Sequence, residues 1–543
     1  MAASNLPSML LVLVCTALVW FCWRLYRHRS WINRLRKEGM PMPAWSWLSG
    51  HIFLLYSCAR RLPPLANINL VFPEIAAGFA ADEMFLLDIW PLSEAMLVVF
   101  NPEAAVHVCQ KLNLPKVKTN EEMIRPITGG LTLLSMNGED WRKWRALFNP
   151  GFSTGVMTEQ LPPVVDAVAR FCETLKECAG KGVLCLDELT TRLTFEVIMK
   201  VTLDADIGED YDHHVFVRAM GNIVKWHSFW DPLILLNPLR PFVQWYNGHV
   251  VDSWVRKELQ KRFQILQQER PSPSPAKGRA KSVMDLAIEA DISAQSGAPS
   301  QRLDAAFLET AIHQIRLFLF AGNDTTSSTI VFAYHLLSKN PSILAQLREE
   351  HDAVFGTDPS RAAAQLKQDA SLLSKCRYTH AVIKETLRLY PPAATMRIGT
   401  PGSSVRTRRG TTLPVAGLTL LISHHTIHRV PSAWLQPNAF LPERWLVGPE
   451  HALYPAPGAY RPFEIGPRNC IGQTLSLNEI KVVLIMTARS FEIRPAYEEY
   501  DVLKGRKGGG RGVTAYRGDR AYQTERAGAH PSEGYPCRVS LRD

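Results

Sequence analysis

Cys470 lies in the run Phe463-x-x-Gly466-x-Arg468-x-Cys470-x-Gly472, a spacing that can present a thiolate to a large, flat, anionic cofactor. Gly466 and Gly472 let the backbone approach closely or take a positive φ, and Arg468 is a fixed cation able to pair with a carboxylate. The apolar helical stretch from Leu475 to Met486 follows at once, so a helix N-terminus can point N–H groups at the sulfur. This arrangement suits iron better than zinc, because none of the ten cysteines lies near Cys470 at zinc-ligand spacing. A lone Cys470 could equally be a buried, inert thiol; the whole constellation favours a ligand.

Three other groupings carry chemistry. Trp141 and Arg145 stand four apart after Asn137-Gly-Glu-Asp140, where Asn137 or Asp140 could cap a helix, so an indole N–H and a guanidinium share one helix face. The pair could receive a carboxylate or belong to an ordinary amphipathic helix. Ala321-Gly322-Asn323-Asp324-Thr325-Thr326 interrupts an apolar run long enough for a buried helix. A threonine hydroxyl there can bond a helical carbonyl and Gly322 can let a bulky ligand press on the backbone, although a self-satisfied kink reads the same way. Glu385 and Arg388 pair at i, i+3 before Pro391 and Pro392, which by itself is most often a weak surface ion pair.

The elements that must hold these residues are mostly helical. Helical patterns cover Gln160 to Lys181, Leu186 to Val201, Gly248 to Glu269, Phe307 to Ser338, Ile343 to Phe355 and Ser374 to Tyr390. Met84 to Trp90 and Met96 to Phe100 read as a short strand pair followed by an Asn101-Pro102 helix start. The fold class is therefore mainly α with a minor β-sheet. Residues 271–278 and the glycine run 508–512 are loops in composition, and neither has dinucleotide-binding context. His424, His425 and His428 lack the glutamate of a zinc-protease helix and are not read as a metal site.

Residues 1–23 carry no charge, and Leu6 to Trp23 is long enough to span a bilayer. Six Lys/Arg against one Glu follow in residues 24–38, which places everything downstream in the cytosol and argues against a cleaved signal peptide. Residues 504–543 hold nine Lys/Arg against four Asp/Glu. The formal charge of +10 thus belongs to the two ends, the body is neutral, and a nucleic-acid partner is not expected. Scattered cysteines fit a reducing compartment.

With every signature position filled, the Cys470 loop resembles the heme-binding loop of cytochrome P450 monooxygenases, and the other groupings resemble that family's motifs in the same order. The resemblance implies a P450 fold with heme b bound through an axial Cys470 thiolate, the propionates held by Trp141, Arg145, Arg397 and Arg468, and Phe463, Gly466 and Gly472 shaping the loop. It implies that Asp324 and Thr325 deliver protons during dioxygen activation, and that Glu385, Arg388 and Arg444 form a buried network serving folding and heme retention. Substrate contacts would come from Phe318 and Ala321 on the Thr325 face, from Met123, Ile127 and Leu131 in the loop before Trp141, and from Thr395 and Met396 with Ala394. The expected organisation is an anchor at 1–23, a basic, proline-containing connector at 24–45, a catalytic domain at 46–503 and a basic tail at 504–543 packed in part on that domain.

The implied protein is a single-pass endoplasmic-reticulum enzyme that oxidises a lipophilic small molecule. Its electrons would come from NADPH through a separate cytochrome reductase, with a cytochrome b-type protein as a second donor. Phrases near the C-terminus are similar to those of filamentous-fungal enzymes of secondary metabolism. The rival readings are a heme-thiolate isomerase or dehydratase needing no external electrons, against which the intact Asp324-Thr325 pair argues, and a non-catalytic membrane-bound heme-binding protein.

Overall fold

The computed structural model describes residues 6–207, 211–228, 231–269, 281–294, 303–506, 514–525 and 529–542; the stretches 271–278 and 508–512 lie outside them. Helix α1, Leu6–Lys37, includes the apolar stretch and continues through the basic residues after it. Its first part stands clear of the body, with Met9 to Val14 and Trp20 and Trp23 exposed. Among the described residues this is the one helix long and apolar enough to cross a membrane. Its last turns are docked: Arg29 is buried against Asp88 and donates to the Trp90 carbonyl at 2.9 Å, while Trp45 Nε1 donates to Asp88 at 2.8 Å. The connector expected at 24–45 is thus helical up to Lys37 and joined to the domain by a buried ion pair.

Strands β1, Met84–Leu87, and β2, Met96–Val99, pair antiparallel, with Phe85 opposite Val98. Of β1 and β2, seven residues are fully buried and only Met96 is partly exposed, as expected for short apolar strands covered on both faces. Helix α2, Lys118–Thr128, takes up Met123 and Ile127 of the segment read as a loop before Trp141, and Leu131 lies in the loop that follows it. Helix α3, Gly138–Phe148, carries Trp141 and Arg145. Then come α4, Leu161–Cys178, β3, Val183–Cys185, and α5, Leu186–Leu203. The helices α6, Val215–Lys225, and α7, Arg240–Glu269, pack on each other.

Helix α8, Ala305–Lys339, is the spine of the larger core; its 35 residues extend about 52 Å. Asp304 caps it by accepting from the Phe307 N–H at 2.9 Å. Most of α8 is buried, which explains its apolar composition on every face. Its polar residues meet polar residues of α5: Asn323 donates to the Thr191 carbonyl at 2.9 Å, and Ser327 bonds Thr190 at 2.9 Å. Helices α9, Pro341–Phe355, and α10, Arg377–Leu389, follow. Strands β4, Thr395–Ile398, and β5, Thr419–Ile422, complete the first sheet in the order β1-β2-β5-β4, with β2 and β5 parallel. Helix α11, Gln473–Thr487, begins just after Cys470.

The C-terminal residues are integral to the domain. Strands β6, Phe491–Pro495, and β7, Pro536–Leu541, form a second sheet ordered β3-β7-β6, so the tail supplies the central strand. Asp519 also accepts from His335 at 2.8 Å and Lys339 at 2.7 Å on α8.

Candidate active site

The loop around Cys470 is closed by its own backbone. The Cys470 N–H donates to the Phe463 carbonyl at 2.8 Å, and Asn469 N–H donates to Gly466 at 3.1 Å. Gly466 has φ +97°, and a Cβ there would lie 2.8 Å from the Cys109 carbonyl oxygen, so the position requires glycine. Gly472 differs: it has an ordinary negative φ, and a Cβ would meet no protein atom within 4 Å. Burial would raise the Glu464 carboxyl, but His424 and Arg461 hold it well below the usual carboxylate range. Burial pushes the Cys470 thiol up, opposed by the Gly472 amide and the Arg145 charge. Cys470 is ringed by protein yet exposed by surface area, so its side chain opens onto interior space. A cavity of ≈ 440 Å³ flanks the loop, lined among others by Arg145, Phe152, Asn469, Cys470 and Lys481.

Cations gather beside this loop. Thr395 and Arg397 point to the same face of β4, and Lys116 Nζ donates to Thr395 Oγ1 at 2.7 Å. Arg397 is fully buried, and none of its three guanidinium nitrogens meets an oxygen acceptor among the described residues; its neighbours are the Cys109 thiol and the Lys116 ammonium. Burial, then Arg397, brings the Lys116 ammonium down to about 7, and the same two causes bring Arg468 down to about 10. Arg468 donates to the Met136 carbonyl at 2.9 Å and lies 4.4 Å from the Trp141 ring centroid.

Two expectations are corrected here. Asn137 stands at the N-cap of α3, but its side chain does not cap: it accepts from the Lys116 N–H at 2.8 Å and from Arg468 at 3.1 Å. Gly322 does not face a ligand, because a Cβ there would lie 2.7 Å from Ile198 Cδ1; it permits the close crossing of α5 over α8. Thr325 Oγ1 donates to the Ala321 carbonyl at 2.9 Å, keeping the hydroxyl within the helix turn. Asp324 is buried and accepts from His530 at 2.9 Å.

Below the loop, Glu385, Arg388 and Arg444 are fully buried. Arg388 donates to Glu385 at 2.7 and 3.0 Å, Arg444 at 3.0 Å and Trp445 Nε1 at 3.0 Å. Arg388 also donates to the His428 carbonyl at 2.8 Å. His428 Nδ1 donates to the Arg388 carbonyl at 3.0 Å, so its Nε2 accepts from the Arg461 N–H at 3.1 Å. One histidine thereby ties the network to the start of the Cys470 loop.

Residues 81–508 match the Cytochrome P450 family model. The chain belongs to the cytochrome P450 family. It is 38% identical to the cytochrome P450 monooxygenase polC of Polytolypa hystricis, across 99% of this chain and 96% of that one. It is 32% identical to the cytochrome P450 monooxygenase acrF of Aspergillus aculeatus, across 85% and 94%. The fold is similar to a cytochrome P450DA heme domain, with a TM-score of 0.69 and 20% identity over 93% of this chain and 98% of that one. The protein is accordingly an oxidoreductase of the P450 monooxygenase class, with that family's heme-thiolate and dioxygen dependence.

The residues fit a heme. Arg397 is a buried cation without an oxygen partner, with Lys116 and Arg468 as like-charged neighbours, and such a cluster calls for an anion. Heme carboxylates answer that need, and Cys470 opens onto interior space on the same loop as Arg468. Arg145 donates to the Asn469 carbonyl at 2.9 Å and to its side-chain oxygen at 3.0 Å, on the Cys470 loop. Lys116, an isolated lysine in a loop, carries no sequence pattern that marks it, and sequence reasoning missed it.

The pocket candidates are dispersed. Phe318 is buried edge-on against Phe148 and Phe152, with ring centroids 5.0 and 5.2 Å away. Ile127 is buried on α2, with its carbonyl accepting from Arg316 at 2.8 Å; Met123 is half-buried on the same helix and Leu131 is exposed. Thr395 and Met396 lie on opposite faces of β4, and Met396 packs with Ala394 on the smaller core. Thr395 therefore faces the cation cluster, and Met396 does not.

Proposed function

We propose that this P450 takes electrons from a separate NADPH-dependent reductase and oxidises a lipophilic small molecule in fungal secondary metabolism. The protein would lie on the cytosolic face of the endoplasmic reticulum, held there by α1. The observation that carries the heme-dependent reading is the Arg397 guanidinium, buried beside Lys116 with no oxygen acceptor among the described residues. Cys470 would be the axial thiolate; Arg397, Lys116 and Arg468 would hold the propionates, with Trp141 under Arg468. Bound there, the heme supplies the reductive activation of dioxygen and the oxidation of a C–H bond.

The chain's own residues do the rest. Thr325 is held on its helix turn by the Ala321 carbonyl, next in sequence to Asp324, and this acid and hydroxyl would pass the protons. The Glu385 network keeps the Cys470 loop in register through His428 and Arg461. The apolar α1 would hold the domain where a membrane-partitioned substrate enters.

Metabolites of cells making the native protein are to be compared by mass spectrometry with those of cells making Cys470→Ala. The variant is expected to accumulate a precursor lacking an oxygen or carrying two extra hydrogens relative to the product. Accumulation of an isomer or a hydrate of the product would overturn the oxidation in favour of a rearranging or dehydrating heme-thiolate enzyme.

A further inference from the structure

His530 comes from the C-terminal residues that follow α11 and β6, far in sequence from the groups it meets. Its Nε2 is 2.9 Å from Asp324 Oδ1 and its Nδ1 is 2.6 Å from Asp187 Oδ1. Its carbonyl accepts from Thr524 N–H and Oγ1 at 2.8 and 2.9 Å, Gln523 bridges Pro531, and β7 follows as a central strand. The backbone that carries the ring is therefore fixed in place by the tail.

Ionised carboxylates only accept hydrogen bonds, so a ring with one carboxylate on each nitrogen satisfies both when it carries both protons. Asp187 lies in the first turn of α5. Its side chain is 16% exposed, against 9% for His530 and 8% for Asp324, so it is the member nearest to solvent. A buried carboxylate inside α8 would by itself tend to take up a proton and keep it. Facing an imidazolium, it stays ionised with a transferable proton alongside.

We propose that His530 is the positioning residue of Asp324: an imidazolium that holds the Asp324 carboxylate in place, gives it the Nε2 proton when that acid is used, and is recharged from solvent past Asp187. One proton moves per step. The N–H bond at Nε2 breaks, an O–H bond forms on Asp324, and the ring becomes neutral; a proton taken up from solvent re-forms the Nε2–H bond and restores the imidazolium. No electron moves in this step. The inference rests on the reading of Asp324 as the proton-delivering acid. Among the described residues, Asp187 and Asp324 are the titratable groups that face the ring.

The test uses the full-length holoenzyme, reduced beforehand and mixed with dioxygen and an excess of reduced flavoprotein reductase, with no added substrate. Oxygen consumption is followed in H2O and D2O for the native protein, His530→Gln, Asp187→Asn and Asp324→Asn, with melting temperature and heme absorbance as folding controls. His530→Gln is expected to fold and bind heme normally, to slow consumption about tenfold and to raise the solvent isotope effect; Asp187→Asn follows in the same direction. A second readout is 15N NMR of histidine-labelled native protein, where both His530 ring nitrogens are expected to be protonated at neutral pH. If Asp324→Asn slows the reaction and His530→Gln does not, the proposal about His530 fails alone. If Asp324→Asn also leaves the rate unchanged, the reading of Asp324 fails with it. A native His530 with a bare ring nitrogen overturns the imidazolium whether or not the variants fold.

Discussion

Lys116 Nζ lies 2.7 Å from Thr395 Oγ1, on the face of β4 that also carries the buried Arg397, so two cations share one buried surface, and the Glu464 carboxylate offsets burial and the Arg397 charge only in part. The folded chain therefore binds the Lys116 proton more weakly than the unfolded chain, with the ammonium brought to about 7 from 10.5. Folding is penalised below that pH, and stability is regained as pH rises toward the ordinary lysine value. Heme-free protein is expected to melt higher at about pH 9 than at about pH 6.5, and Lys116→Met should flatten that difference. Heme loading should flatten it as well, by giving the ammonium an anion. A Lys116→Met variant that keeps the native slope would assign the dependence to another group.

Glu385 accepts from Arg388, Arg444 and Trp445 inside the core, so its replacement strands two buried cations. Glu385→Gln is expected to cost about 3–5 kcal/mol. Chemical denaturation of purified protein and the yield of heme-loaded enzyme measure this, and a loss under 1 kcal/mol, about the value of an exposed pair, would contradict the buried assignment.

Gly466→Ala forces a Cβ onto the Cys109 carbonyl at a φ of +97°. The expected cost is about 1–3 kcal/mol, with the Cys470 loop displaced. Heme content and the position of the heme absorbance band should both change, whereas Gly472→Ala, where a Cβ meets no protein atom, should leave the melting temperature of heme-free protein near native.

Gly322 and Ile198 are coupled across the α5–α8 crossing. Gly322→Ala is expected to destabilise by about 1–3 kcal/mol, and pairing it with Ile198→Ala should recover part of that loss, a coupling that a double-mutant cycle reads directly. Additive effects would show that the two helices do not meet at this glycine.

Much of the helical framework was legible because long apolar periods survive in any context. The expected helix from Phe307 to Ser338 matches α8 within two residues at its start and one at its end, and the strand pair at Met84 and Met96 is present. The segment before Trp141 reads as a loop because Pro126 interrupts its pattern, yet α2 runs through it as far as Thr128. The tail was equally opaque. Its residues form a central strand, and a strand's partners are set by pairing across hundreds of positions, not by local composition.

For the site, sequence alone determined the residue types that chemistry demands: a cysteine in a glycine-rich loop, an acid and a hydroxyl adjacent on a buried helix, and a glutamate and an arginine one helical turn apart. Those follow from spacing within single elements. Tertiary structure alone decided which charges meet. It set Lys116 beside Arg397, turned Asn137 from a cap into a clamp, gave Gly322 to Ile198 and brought His530 onto Asp324. The physical reason is that burial and pairing energies depend on distance through space, and a solitary lysine or histidine in a loop carries no period from which that distance can be read.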